Sequence, residues 1–113
     1  MIKRRGVLFS DVALKDMEDI CDFIATESGA AIARKIFEDI ETRCEHLRDF
    51  PDRGNRPKEL LELGMTAYRE LHYKPYRIIY GITETSVIIH TILDGRRDVK
   101  RVLQERLLQE KRS

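Results

Sequence analysis

Glu70, His72 and Arg77 are the residues of this chain whose types and spacing could do chemistry. Glu70 and His72 lie two apart, so an extended strand puts them on one face. Lys74-Pro75 between them and Arg77 offers a hairpin centre that sets His72 opposite Arg77. A carboxylate or an imidazole could take a proton from a ribose 2′-hydroxyl while the guanidinium holds the phosphate. The same three residues also read as cross-strand polar neighbours on a solvated sheet face, which is the commoner arrangement.

A second constellation is Asp94-Gly95-Arg96-Arg97-Asp98, a compact turn at the exit of a β-branched run. Two guanidiniums there suit contact with an anionic partner better than covalent or metal chemistry. The turn also reads as a solvated connection in which Asp98 caps a following helix and pairs one arginine. His90 lies among isoleucines in mid-strand and reads as a structural histidine, and nothing singles out His46. No histidine pair, acidic cluster or glycine-rich phosphate loop has the spacing of a ligand set, so neither metal nor cofactor is expected. Cys21 and Cys44 both fall on apolar helix positions and read as free thiols in a reducing cytosol.

The elements that must position these groups follow from the hydrophobic periods. Val7-Leu8-Phe9 is a short strand, and Ser10 or Asp11 can cap the helix behind it. That helix carries Ala13, Met17, Ile20, Cys21 and Ile24 in one stripe, with Lys15, Asp16, Glu18, Asp19 and Asp22 opposite. Ser28-Gly29 breaks it, and a second stripe runs Ala33, Ile36, Phe37, Ile40, Cys44 and Leu47 up to Phe50-Pro51. So short a break predicts an antiparallel helix hairpin. Residues 50–64 read as a loop with one helical turn, and strands are expected near 65–73, 76–82 and 86–94. Val99, Val102, Leu103 and Leu107 give a last amphipathic helix.

With Glu84-Thr85 at the second hairpin centre, Tyr80 faces Ile89 and Ile79 faces His90. One sheet face then collects Leu71, Tyr73, Tyr76, Ile78, Tyr80, Ile82, Val87, Ile89 and Leu93, a core for the helix hairpin. The other is mixed (Glu70, His72, Arg77, Ile79, Ile88, His90, Ile92, Asp94) and is the expected binding face, its exposed Ile79, Ile88 and Ile92 masked by a partner or a second copy. Arg69 falls beside Tyr80 on the apolar face, so it should lie at the sheet margin or pair with a carboxylate.

The chain has 113 residues, 42% of them hydrophobic and 36% charged, with a net charge of +1. That suits one domain spanning 1–113 and gives no global basicity of the kind that marks nucleic-acid binders. The charge is uneven: Asp11 to Glu27 holds six acids against Lys15, a balance of −5, and Gly95 to Ser113 holds seven bases against three acids, a balance of +4. No apolar run spans a bilayer, and Lys3-Arg4-Arg5 has no long apolar segment behind it, so neither membrane span nor signal peptide is expected.

Over nearly its whole length the chain resembles the ParE branch of the RelE/ParE toxin superfamily. The likeness rests on Phe9-Ser10-Asp11 with Ala13 and Asp19-Ile20, on Phe50-Pro51 with Arg53-Gly54, on Tyr68-Arg69-Glu70-Leu71, on Pro75-Tyr76-Arg77-Ile78-Ile79-Tyr80, and on Gly95-Arg96-Arg97-Asp98. The family pattern often has histidine just before that last turn, where this chain has Asp94. The resemblance implies an α+β fold, β-α-α-β-β-β with a further helix, the hairpin packed on a mainly antiparallel sheet. It implies a cytoplasmic toxin of a type II toxin–antitoxin pair, neutralised by a ParD-like or other cognate antitoxin. The ParE branch acts on DNA gyrase without being an enzyme, needs no cofactor and shows no sequence-specific DNA binding of its own. On that reading Arg69, Arg77, Ile79, Ile88, Ile92, Arg96 and Arg97 are the contacts for target and antitoxin. RelE relatives share the fold and cut messenger RNA in the ribosome, and on that reading Glu70, His72 and Arg77 are catalytic. The chain lacks the additional lysines and the terminal tyrosine that RelE-type nucleases commonly place around this groove. A small binding module without toxicity is the third reading.

Overall fold

The computed structural model describes residues 6–112; Lys3-Arg4-Arg5 lie outside the described residues. The order is β1 (Gly6–Phe9), α1 (Asp11–Ser28), α2 (Ala30–Glu45), α3 (Lys58–Glu62), β2 (Tyr68–Tyr73), β3 (Tyr76–Ile82), β4 (Ser86–Asp94) and α4 (Val99–Arg112). Two 3₁₀ turns, His46–Arg48 and Pro51–Arg53, follow α2. Strand order is β1-β4-β3-β2, with β1 parallel to β4 and the other pairs antiparallel. The fold is the α+β arrangement that the sequence leads one to expect.

Ser10 caps α1: its Oγ accepts from Ala13 N at 3.0 Å and donates to His90 O at 2.8 Å, which ties the start of the helix to β4. Gly29 divides α1 from α2 at φ 98°, a conformation that side chains resist. The expected strand start near 65 moves to Tyr68, because Gly64 (φ 76°) turns the chain at the end of α3 and Met65 N donates to Leu60 O.

Apolar residues of the hairpin (Ala13, Met17, Ile24, Ala33, Ile40, Cys44, Leu47) pack on Tyr76, Ile78, Tyr80, Val87, Ile89 and Ile92. The expected register holds across the first hairpin, where His72 pairs with Arg77, and at Tyr80 with Ile89. It fails beyond, since Ile79 pairs with Thr91 rather than His90. His90 is the extra residue of a β-bulge, which shifts the alternation of β4 by one. Ile92 therefore joins the hairpin core and Leu93 the opposite face, the reverse of expectation.

That opposite face is not an open binding surface. Ile79 is fully buried and Ile88 half-buried there, and Ile92, now in the hairpin core, is 1% exposed. Ile79 and Leu93 lie under Leu60 of α3 and Val99, Leu103 and Leu107 of α4. The apolar stripe of α4 needed a partner, and the chain's own sheet supplies it, at about 2 kcal/mol for each buried aliphatic side chain.

Asp16, expected on the solvated side of α1, is buried. Its Oδ2 accepts from Ile92 N and Thr91 Oγ1, both at 2.9 Å, on a stretch of β4 that extends past β1. Arg106 of α4 closes the cluster, donating to Asp16 at 2.8 Å and to Thr91 Oγ1. One carboxylate thus joins α1, the sheet edge and α4. Asp16→Ala leaves an amide, a hydroxyl and a guanidinium without their acceptor, and should cost about 3–5 kcal/mol in urea unfolding. Asp16→Asn should cost less.

Candidate functional site

Three elements bring Glu70, His72 and Arg77 together. Glu70 and His72 share a face of β2, and Arg77 of β3 stands opposite His72. A residue that the sequence did not single out completes the group: Glu59, on α3. Arg77 donates to Glu70 through Nε (2.6 Å) and Nη2 (2.9 Å), and to Glu59 through Nη1 (2.7 Å) and Nη2 (2.8 Å). The guanidinium is therefore held as a fork on both sides. Glu59 first, then Glu70, pushes its pKa above the ordinary arginine range, and Arg77 in turn holds Glu59 below the usual carboxylate value.

Glu70 is 2% exposed, and its other neighbours are Asn55 Nδ2 at 3.1 Å and His72 Nε2 at 3.4 Å. Both of its oxygens are engaged, which leaves poor capacity for proton abstraction. Arg77 has four of its five N–H groups committed to carboxylates, so a phosphate gripped as a fork would have to displace one of them. His72 is 53% exposed at the rim of the cluster. The expected constellation is assembled, and its geometry is that of a buried ion network.

The stem of Arg77 also positions the double-arginine turn. A Cβ on Gly95 would lie 3.1 Å from both Arg77 Cδ and Pro75 O, and Gly95 N donates to Pro75 O at 2.7 Å. A side chain there would press the turn away by a few tenths of an ångström. Beyond it, Asp94 clasps Arg96, accepting from its backbone N and its Nε, both at 2.9 Å. Arg96 lowers the pKa of Asp94 below the ordinary value. Asp98 accepts from Arg101 N at 3.3 Å, the expected cap of α4.

Much of the C-terminal positive balance is neutralised in place. Arg96 pairs with Asp94, Lys100 with Glu62 and Arg106 with Asp16, all acids outside residues 95–113, and Arg101 pairs with Glu105 within them. The side chains of Lys111 and Arg112 lie outside those described. Arg97 is exposed, and among the described residues its guanidinium has no hydrogen-bond or ion-pair partner.

Arg69 stands opposite Tyr80, as expected, and is satisfied at the sheet margin by Gly54 O at 2.8 Å and by Asp52 Oδ1 at 3.8 Å. The loop it grips is fixed by Tyr80, whose hydroxyl donates to Pro51 O and accepts from Gly54 N. A Cβ at Gly54 would come within 2.4 Å of Glu70 O, which explains the glycine at that position. His90 lies against Gly81 and meets Tyr68 edge-on with ring centroids 5.2 Å apart, a structural placement. Both cysteines are free; burial pushes the Cys44 thiol up to about 12 and raises that of Cys21. Among the described residues no cluster could hold a metal ion, and no helix is long and apolar enough to cross a membrane.

Exposed apolar surface lies instead on the outer side of the helix hairpin. A cleft of about 320 Å³ is lined by Phe9, Leu14, Met17, Cys21 and Phe37, with Glu18, Asp22 and Glu41 around it. Leu14 is 54% and Phe37 39% exposed. The sequence signals this surface only slightly: Phe37 falls in a core stripe, and Leu14 lies outside the apolar stripe of its helix.

A protein-family model described as the ParE toxin of type II toxin–antitoxin system, parDE, matches residues 7–99. No curated protein matches the chain in sequence. Among solved structures, a chain of the chromosomal ParDE system from P. aeruginosa superimposes with a TM-score of 0.69 at 20% identity, covering 81% of this chain and 97% of that one. A chain of the RelBE2 toxin–antitoxin complex from Mycobacterium tuberculosis gives 0.57 at 19% identity, covering 83% and 94%. At such identities these two likenesses concern the fold.

Proposed function

This chain belongs to the ParE toxin family of type II toxin–antitoxin systems, and we propose that it inhibits DNA gyrase by binding rather than by RNA cleavage, until a cognate antitoxin covers it. The observation that carries the choice is the double clamp on Arg77: the cation best placed for a phosphate is already bonded to Glu59 and Glu70. A ribosome-dependent nuclease needs such a cation available. What is available instead is Arg97, on a turn seated rigidly against the Arg77 stem. Purified protein should block gyrase supercoiling and leave cell-free translation intact; the reverse pattern would establish the RelE-type reading in its place.

The antitoxin, on this reading, lays an apolar helix with basic flanks into the cleft between α1 and α2. The acidic stretch Asp11–Glu27 supplies the complementary charge, and Leu14 and Phe37 supply apolar contact. Leu14→Glu with Phe37→Glu should weaken neutralisation about 100-fold, roughly 3 kcal/mol, without changing gyrase inhibition. Titrating antitoxin into a supercoiling assay measures both quantities. Unchanged neutralisation would move the antitoxin to another face.

A further inference from the structure

We propose that the clefts on either side of His72 form a binding track for the phosphodiester backbone of single-stranded nucleic acid, a site separate from the Arg96-Arg97 turn. The proposal goes beyond the gyrase reading and stands whichever target the protein has.

The first cleft, about 290 Å³, is lined by Arg43, His46, Arg53, Leu71 and His72. The second, about 330 Å³, is lined by Asn55, Arg56, Lys58 and His72 and by the paired Glu70 and Arg77. The two clefts adjoin at His72. Arg43 is preorganised: its Nη1 donates to His72 O at 2.7 Å, and its guanidinium lies 5.0 Å from the centroid of the Tyr73 ring. Among the described residues, the side-chain cations of Arg53, Arg56 and Lys58 have no ion-pair partner, and all three residues are exposed. The acids on these segments are engaged: Glu45 with Arg48, Asp52 with Arg69, Glu59 and Glu70 with Arg77, and Asp49 with a partner of its own.

Two features favour a phosphate backbone over an acidic peptide. The outer edge of β2 is closed, since Glu70 N donates to Asn55 O and His72 O accepts from Arg43, so a peptide strand has little backbone to pair with there. The segment between His46 and Arg53 also carries Phe50, which is 60% exposed. Cations and an exposed aromatic on one segment are the components of a sequence-tolerant single-strand site.

The test is fluorescence anisotropy of the purified protein with labelled single-stranded DNA and RNA of about 16 nucleotides. An acidic glutamate peptide serves as competitor. Binding should fall between about 50 and 200 mM salt with a log–log slope near −2 to −3, that of about three to four phosphates. Arg53→Gln with Arg56→Gln should weaken it at least about tenfold while the thermal midpoint stays put, because both side chains are exposed and unpaired. Arg34→Gln with Lys35→Gln, which removes the same charge from α2, should leave it within about twofold. Absence of binding, equal loss in both double variants, or displacement by the glutamate peptide as effective as by unlabelled strand would each overturn the proposal, the last in favour of an acidic protein partner.

Discussion

Arg97→Ala is expected to abolish growth arrest on its own, and Arg96→Ala to weaken it only in part. The difference follows from their partners. Arg96 is folded onto Asp94 through its backbone N and its guanidinium, so much of its charge is already compensated. Arg97 contributes only a backbone N–H to the turn, and its guanidinium is left for an outside anion. Fully desolvated against an acidic group, such a contact reaches about 2–5 kcal/mol, which is roughly 30-fold or more in affinity. Stability should change by less than about 0.5 kcal/mol, since the residue is exposed and its guanidinium has no hydrogen-bond or ion-pair partner among the described residues. Supercoiling inhibition by purified variants and growth after induction both read the effect, with circular dichroism to check the fold. His72→Ala should leave inhibition intact. A toxic Arg97→Ala protein would remove the turn from the mechanism.

How far the sequence reveals this arrangement depends on whether local pattern or a distant partner decides each residue. Helix stripes, the Lys74-Pro75 hairpin and the pairing of His72 with Arg77 were legible, because periodicity and turn chemistry act within a few residues. The bulge at His90 was not. No turn residue marks it, and one extra residue exchanges Ile92 and Leu93 between faces. That slip, with α4 folding back, hid the burial of Ile79 and Ile92. Asp16 reads as solvated from its own helix and is buried by Thr91, Ile92 and Arg106, which bond to it from 75 to 90 positions away. Glu59 sits in a stretch read as loop with one helical turn, so its grip on Arg77 had no sequence signal. The candidate residues were thus found, while their electrostatic state was not. A free Arg77 suggests a phosphate site, and a doubly clamped one suggests a structural pin.

That state yields the second large effect. Arg77→Ala should destabilise the fold by about 3–5 kcal/mol, out of the roughly 5–15 kcal/mol that holds a domain of this kind. Removing the guanidinium leaves Glu70 and Glu59 facing each other without a cation, at 2% and 13% side-chain exposure. The thermal midpoint should fall by roughly 10–25 °C. Arg77→Lys recovers only part, because one ammonium cannot form forks with two carboxylates. Loss of toxicity in Arg77→Ala is therefore no evidence for catalysis. The informative variant replaces the whole cluster: Glu59→Gln, Arg77→Met and Glu70→Met together remove the buried charges and should restore most of the stability. If the cluster is structural, the triple variant inhibits gyrase again; a nuclease that needed Glu70 and Arg77 would stay inactive despite refolding. Acid provides an independent check. Arg77 depresses the Glu59 pKa in the folded state, so its contribution is present at neutral pH and is lost as pH falls from about 4.5 through the lowered folded value. Glu59→Gln should accordingly flatten the acid limb of the stability profile, and wild-type unfolding between pH 5 and 3 should be steeper.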